Sequence, residues 1–186
     1  MSGLNQQDLL SPFTEETKRV IKIAQAYARE NMNVVFGPAH LLKALLHQDA
    51  GLQSLLSNLG QDIYYIEEWA DVRIESFKKN ASNKESIPAD DMVAEVMNEA
   101  DNVRLKLSKD FVEPIHILSA IVTPGVGFTF EQLKTFPFRR EDVLDSITET
   151  AEINAAFTKG SATMNGNTGK PATQHALLKY CIDKTL

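Results

Sequence analysis

Cysteine is nearly absent: Cys181 stands alone among 186 residues. One thiol excludes an internal disulfide framework and a thiolate metal cluster, and a reducing cytosol fits. Long hydrophobic runs are missing as well. Stretches such as Ile117–Val122 fall far short of the roughly 20 apolar residues a membrane-spanning helix needs. Met1–Leu10 has neither a basic n-region nor an apolar h-region, so it is not a secretory signal. Positive charge is in deficit, 19 Lys and Arg against 25 Asp and Glu for a net charge of −6. A nucleic acid or an anionic membrane would want the opposite balance, so neither is expected as a partner. What is present is globular: 43% hydrophobic and 24% charged residues, enough for one ordinary domain. The expectation is a soluble, cytoplasmic chain.

Strict apolar–polar alternation is scarce, whereas helical periodicity is plain. Val20, Ile21, Ala24, Tyr27 and Ala28 form one stripe of an amphipathic helix. Thr14 suits its N-cap, with Glu15 and Glu16 placed to favour the positive end of the helix dipole. Pro38 fits the first turn of a second helix, where a missing N–H costs nothing. Leu52, Leu55, Leu56 and Leu59 predict a short third helix ending at Gly60. Asp62 caps a fourth, with Ile63, Ile66, Trp69, Ala70 and Phe77 on its buried side.

After the polar stretch Lys78–Ser86 the pattern restarts. Asp90 takes the place of Thr14, and Met92, Val93, Val96, Met97, Ala100 and Val103 repeat the first stripe. Aligned without a gap, Val20–Ala44 and Val96–Ala120 share six identical residues, among them Pro38/Pro114 and His40/His116. "GPAHLLKALL" thus returns 76 residues later as "EPIHILSAIV". Such a period exceeds the about 20–50 residues of solenoid units. The fold class expected is all-α: duplicated four-helix units, about eight helices, related by a pseudo-twofold axis.

Catalytic constellations are thin. "GNTGKP" lacks the first glycine and the Ser/Thr of a phosphate-binding loop, with Met164 and Pro171 in those places. His40 and His116 have no Cys or carboxylate at ligand spacing, so no metal site is expected. The alternative is a helix-start histidine that holds a backbone carbonyl or the neighbouring helix. Cys181 lacks the signature of a nucleophile. Leu9, Leu10 and Phe13 precede the first cap; they form either a hydrophobic staple or the border of a groove for a partner peptide.

The duplicated Pro-x-His helices, the Gly/Ser-rich stretch and the late pattern Leu177-x-x-Tyr180-x-x-Asp183-x-Thr185 resemble the N-terminal domain of the Clp family of AAA+ unfoldases. The resemblance covers the chain from about Pro12 onward. It implies a substrate- or adaptor-recognition domain at 1–157, with repeats at about 13–77 and 89–157. A flexible linker at 158–172 and the start of a truncated AAA+ module at 173–186 would follow. The fragment would be a binding domain and no enzyme, without a cofactor; ATP and Mg would belong to missing modules. The full-length protein would be a homo-hexamer and the fragment a monomer.

Within the family, Ala39 and Ile115 replace the glutamates that serve phosphoarginine recognition in the ClpC-like branch, so that activity is not carried over. Thr14 matches a ClpB threonine, but Lys109 and Ile115 stand where ClpB places acids. "DLLSPF" and Thr123–Phe138 look more like the ClpV branch of type VI secretion, which grips a helix of the contracted sheath. ClpB-like or ClpC/ClpA-like binding of unfolded proteins is the alternative. The seam between the repeats, bordered by the first helix of each, would hold the peptide through Leu9, Leu10, Phe13, Thr14, Thr17, Met92 and Val93.

Overall fold

The computed structural model describes residues 12–80 and 85–162, with eight α-helices and no strands longer than isolated bridges among them. The first unit holds α1 (Glu15–Glu30), α2 (Pro38–Leu45), α3 (Gln53–Asn58) and α4 (Ile63–Ile74), with a 3-10 turn at Gln48–Ala50. The second holds α5 (Asp91–Lys106), α6 (Pro114–Ile121), α7 (Phe130–Leu133) and α8 (Arg140–Ala162). The all-α duplication is therefore present as read. α8 runs through Ala162 and so takes in the first residues of the segment expected to be linker. The rest of 158–172, and 173–186, lie outside the described residues.

The two repeats agree in detail at their starts. α1 and α5 each have 16 residues, and α2 and α6 each have 8. Thr14 and Asp90 cap their helices by accepting the backbone N–H of Thr17 and Met92. Both first helices end on a left-handed residue that is not glycine, Met32 at φ 56° and Ser108 at φ 54°. The following N–H reaches back to close the last turn, Asn33 to the Ala28 carbonyl and Lys109 to that of Arg104. A strained backbone feature duplicated at one register argues that the turn is needed to aim the second helix.

Val20, Ala24 and Ala28 of α1, and Val93, Val96, Ala100 and Val103 of α5, are buried along the stripes expected. They pack around α2 and α6, whose nearly complete burial puts the Pro-x-His helices at the centre of the core. The small residues Ala24, Ala28 and Ala100 let the helices approach closely. Where the repeats meet, a Cβ on Gly127 would press to 3.1 Å from Val96 and 3.3 Å from Pro38, so a larger residue fits only if those side chains give way by a few tenths of an ångström. Trp69 of α4 lies edge-on to Phe128 and Phe136 of the second repeat, at 4.9 and 5.0 Å between ring centres.

Candidate seam between the repeats

The segment before each first helix pairs with the segment before the other repeat's second helix. Phe13 bridges Val112, and Ala89 bridges Phe36. The first clasp uses Thr14 N–H to Val112 O at 3.2 Å and Val112 N–H to Pro12 O at 2.7 Å. The second uses Asp90 N–H to Phe36 O at 2.9 Å and Phe36 N–H to Pro88 O at 3.0 Å. Shifting one clasp along the sequence by the repeat length gives the other with its partners exchanged. A translation of one unit would not do that; a twofold relation requires it. Pro12 and Pro88 occupy the same position in each clasp.

At the first clasp Thr17 Oγ1 donates to Val112 O at 2.7 Å, and its oxygen lies 3.0 Å from Thr14 Oγ1. Thr17 is 0% exposed and Val93, its counterpart, 1%. Both were expected to touch a partner, yet neither has surface to offer in this fold: Thr17 spends its hydroxyl inside and Val93 packs in the core. Phe13 is likewise buried and acts as the anchor ahead of the cap. Thr14 and Met92 are half-buried and stay reachable. Thr14 belongs to the Val112 clasp, whereas Met92 follows the Asp90 cap of the other. Leu9 and Leu10 lie outside the described residues.

Sequence reasoning missed Phe111. It adjoins Val112, lies 52% exposed, and shares this corner with half-buried Ile115. The available signal was a lone aromatic in the polar run "SKDFVEP", between a helix end and a Pro-x-His start. A large exposed aromatic beside a seam is the kind of anchor a peptide groove uses.

The histidines prove structural, with a different partner from the one expected. His40 Nδ1 accepts the N–H of Gly37 at 2.9 Å, and His116 Nδ1 accepts that of Glu113 at 2.9 Å. Each ring thus satisfies a helix-start N–H rather than a carbonyl. Nδ1 as acceptor puts the proton on Nε2, and His40 Nε2 donates to Asn33 Oδ1 at 2.9 Å. Burial, assisted by the Lys43 cation, pushes the His40 pKa down to about 4. Burial lowers that of His116 too, against the opposing pull of Glu113. Both rings are neutral at pH 7. Among the described residues no three His, Cys, Asp or Glu side chains gather as metal ligands, and no helix is long and apolar enough to cross a membrane. "GNTGKP" and Cys181 lie outside the described residues.

A second surface feature is a hollow of about 770 Å³ beside α7, lined by Val122, Phe130, Leu133, Phe136 and Phe138. Its cations are largely employed: Lys134 pairs with Glu131 at 2.8 Å and Arg140 with Glu99 at 2.8 Å.

Residues 12–136 match the family model described as the Clp repeat (R) N-terminal domain. Over 125 residues the chain is 26% identical to the chaperone protein ClpB of Brucella suis biovar 1 (strain 1330), covering 67% of this chain. The match spans only 14% of that protein's length. The Hsp104 N-terminal domain from Candida albicans has a TM-score of 0.60 at 16% identity, over 72% of this chain and 87% of that one. A structure described as a complex of a ClpV N-domain with a VipB peptide gives 0.57 at 16% identity, over 77% and 89% of the two chains. At such identities the likeness speaks for the fold.

Proposed function

The chain belongs to the Clp repeat N-terminal domain family, and from that premise we propose that it is a recognition domain of an ATP-driven unfoldase. It takes hold of a polypeptide segment, directly or through an adaptor, while force is generated elsewhere. The observation that carries this reading is the division of labour at the first clasp. Backbone groups and buried side chains there are occupied in joining the repeats, while Thr14, Phe111 and Ile115 remain reachable around them. Leu9 and Leu10, directly upstream in sequence, would complete an apolar border. The chain itself then performs no catalysis and needs no cofactor, ATP and Mg belonging to modules outside it.

The partner proposed is a helix of a contracted type VI secretion sheath, laid along this seam in the cytoplasm. The ClpV-like features of Leu9–Phe13 and Thr123–Phe138 support it, as does the peptide complex of a ClpV N-domain with the same fold. A ClpB-like domain that binds unfolded protein is the second reading, favoured by the 26% identity to the Brucella protein. In either case one domain binds weakly, because the apolar gain of about 25 cal/mol per Å² is offset by ordering costs. Six tethered copies in a hexamer would raise avidity without tighter single contacts.

Titrating a fluorescent sheath-helix peptide into the chain, with an unfolded-protein peptide alongside, tests this. Phe111→Ser should weaken the preferred peptide about tenfold with the fold intact by circular dichroism. Unchanged affinity in that variant would refute the site. Preference for the unfolded peptide would move the assignment to the second reading.

A further inference from the structure

The outer face of α4 carries two large apolar side chains that stand mostly in solvent. Tyr64 is 81% and Val72 61% exposed, and between and beyond them stand exposed Glu68 and Glu75. At about 100° per residue, positions 64, 68, 72 and 75 fall within one narrow stripe. That stripe lies opposite the buried face made by Ile66, Trp69, Ala70 and Ile74. The apolar residues therefore stand outside the set that packs α4 on the core.

The second repeat supplies an internal control. Buried Ile66 and Ala70 correspond to buried Val143 and Ile147 of α8. At that register Tyr64, Glu68, Val72 and Glu75 correspond to Glu141, Asp145, Glu149 and Glu152, all exposed. The second repeat thus shows an ordinary solvated acidic face, as helix surfaces usually do. The first repeat keeps two of the four carboxylates and replaces the other two with a tyrosine and a valine, one turn apart from each acid. Among the described residues neither Glu68 nor Glu75 has an ion pair, whereas neighbouring Glu67 and Asp71 both engage Lys43, at 3.7 and 2.7 Å.

We propose that this stripe of α4 is a docking surface for a basic amphipathic helix of a partner protein. The partner would set apolar side chains against Tyr64 and Val72 and Lys or Arg against Glu68 and Glu75. The alternation of acid and apolar group at helical spacing over on the order of 16 Å selects a helix with the complementary alternation. The charge complement selects a basic one, and the pairing weakens with salt because these carboxylates are exposed. This surface lies on a different element from the seam and stands or falls independently of it.

The probe is a synthetic helical peptide of about 18 residues with Leu and Lys alternating one turn apart along one face, added to the full chain. Amide shift changes in NMR should concentrate on 63–76. Tyr64→Ser with Val72→Ser should weaken binding at least about tenfold, and Glu68→Gln with Glu75→Gln should flatten its salt dependence. All four side chains are exposed, so the variants fold, with the single Trp69 reporting on the core. Shifts that map elsewhere would overturn the proposal. So would equal binding of a peptide with Glu in place of Lys, or no binding up to millimolar concentration.

Discussion

The two repeats begin alike and finish differently. From the first cap to the end of the Pro-x-His helix, they share helix lengths, left-handed closing residues, and a histidine ring on the second helix's first N–H. Beyond that point they part. In the first repeat Leu52 and Leu56 close α3 into the core, whereas α7 has no buried residue and borders a hollow. The cap before α2 is Gly37, where a Cβ would collide with the Phe77 ring at 2.3 Å; its counterpart is Glu113. The shared half is what aims two helices into one core. The divergent half is where surface is made.

The histidines bring this contrast to one atom. His40 uses both nitrogens, with Asn33 accepting from Nε2. His116 has no partner for Nε2 among the described residues, because Lys109 stands where the first repeat has Asn33. The same ring is therefore fully engaged on one side and half engaged on the other.

Removing the ring should separate the two most. His40→Leu strands the Gly37 N–H and Asn33 Oδ1 and should cost about 3 kcal/mol, against about 1–2 for His116→Leu, in urea denaturation. Equal losses would show that Asn33 contributes nothing.

Acid should act next. The His40 pKa is about 4 when folded and near the ordinary imidazole value of 6.5 when unfolded. The unfolded chain therefore binds the proton first, and the contribution is complete above about pH 6.5 and shrinks as pH falls towards 4. At pH 5 the loss is about 2 kcal/mol, and His116 adds to it with the same sign. Urea midpoints at pH 7.5 and 5.0 check it. A His40→Gln chain as stable at pH 5 as at 7.5 would assign the effect to His40 alone.

The smallest effect repairs the asymmetry. Lys109→Asn follows Ser108, whose φ of 54° nearly equals that of Met32, so the new amide starts from the same backbone as Asn33. Giving His116 its missing acceptor should stabilise by about 1 kcal/mol, a rise of a few degrees in Tm. No gain would mean that Nε2 is already satisfied.

Much of the fold could be read from the chain because it rests on local rules. The stripes of α1 and α5, the caps Thr14 and Asp90, and the stop at Gly60 all appear where periodicity and capping chemistry put them. The seam was legible only in outline. One-rung bridges have no periodic signature, so Thr17 read as available surface, and Phe13 as staple or groove border alike, when both are fastened to Val112. The histidine's partner was misread because a side chain that accepts from its own helix start leaves no mark beyond the Pro-x-His spacing. Phe111 was overlooked because a single aromatic in a polar turn breaks no pattern.

The prolines at the clasps reach further than the joint they help to make. Pro12 and Pro88 offer a carbonyl but no hydrogen, so neither pairing can lengthen into a ribbon, and the Asp110 carbonyl that a longer ladder would need is turned to Arg104 instead. The protein gains from having no ladder left open at either clasp. Its two halves are buttoned at single points, and a loose strand finds no template to grow on at either clasp.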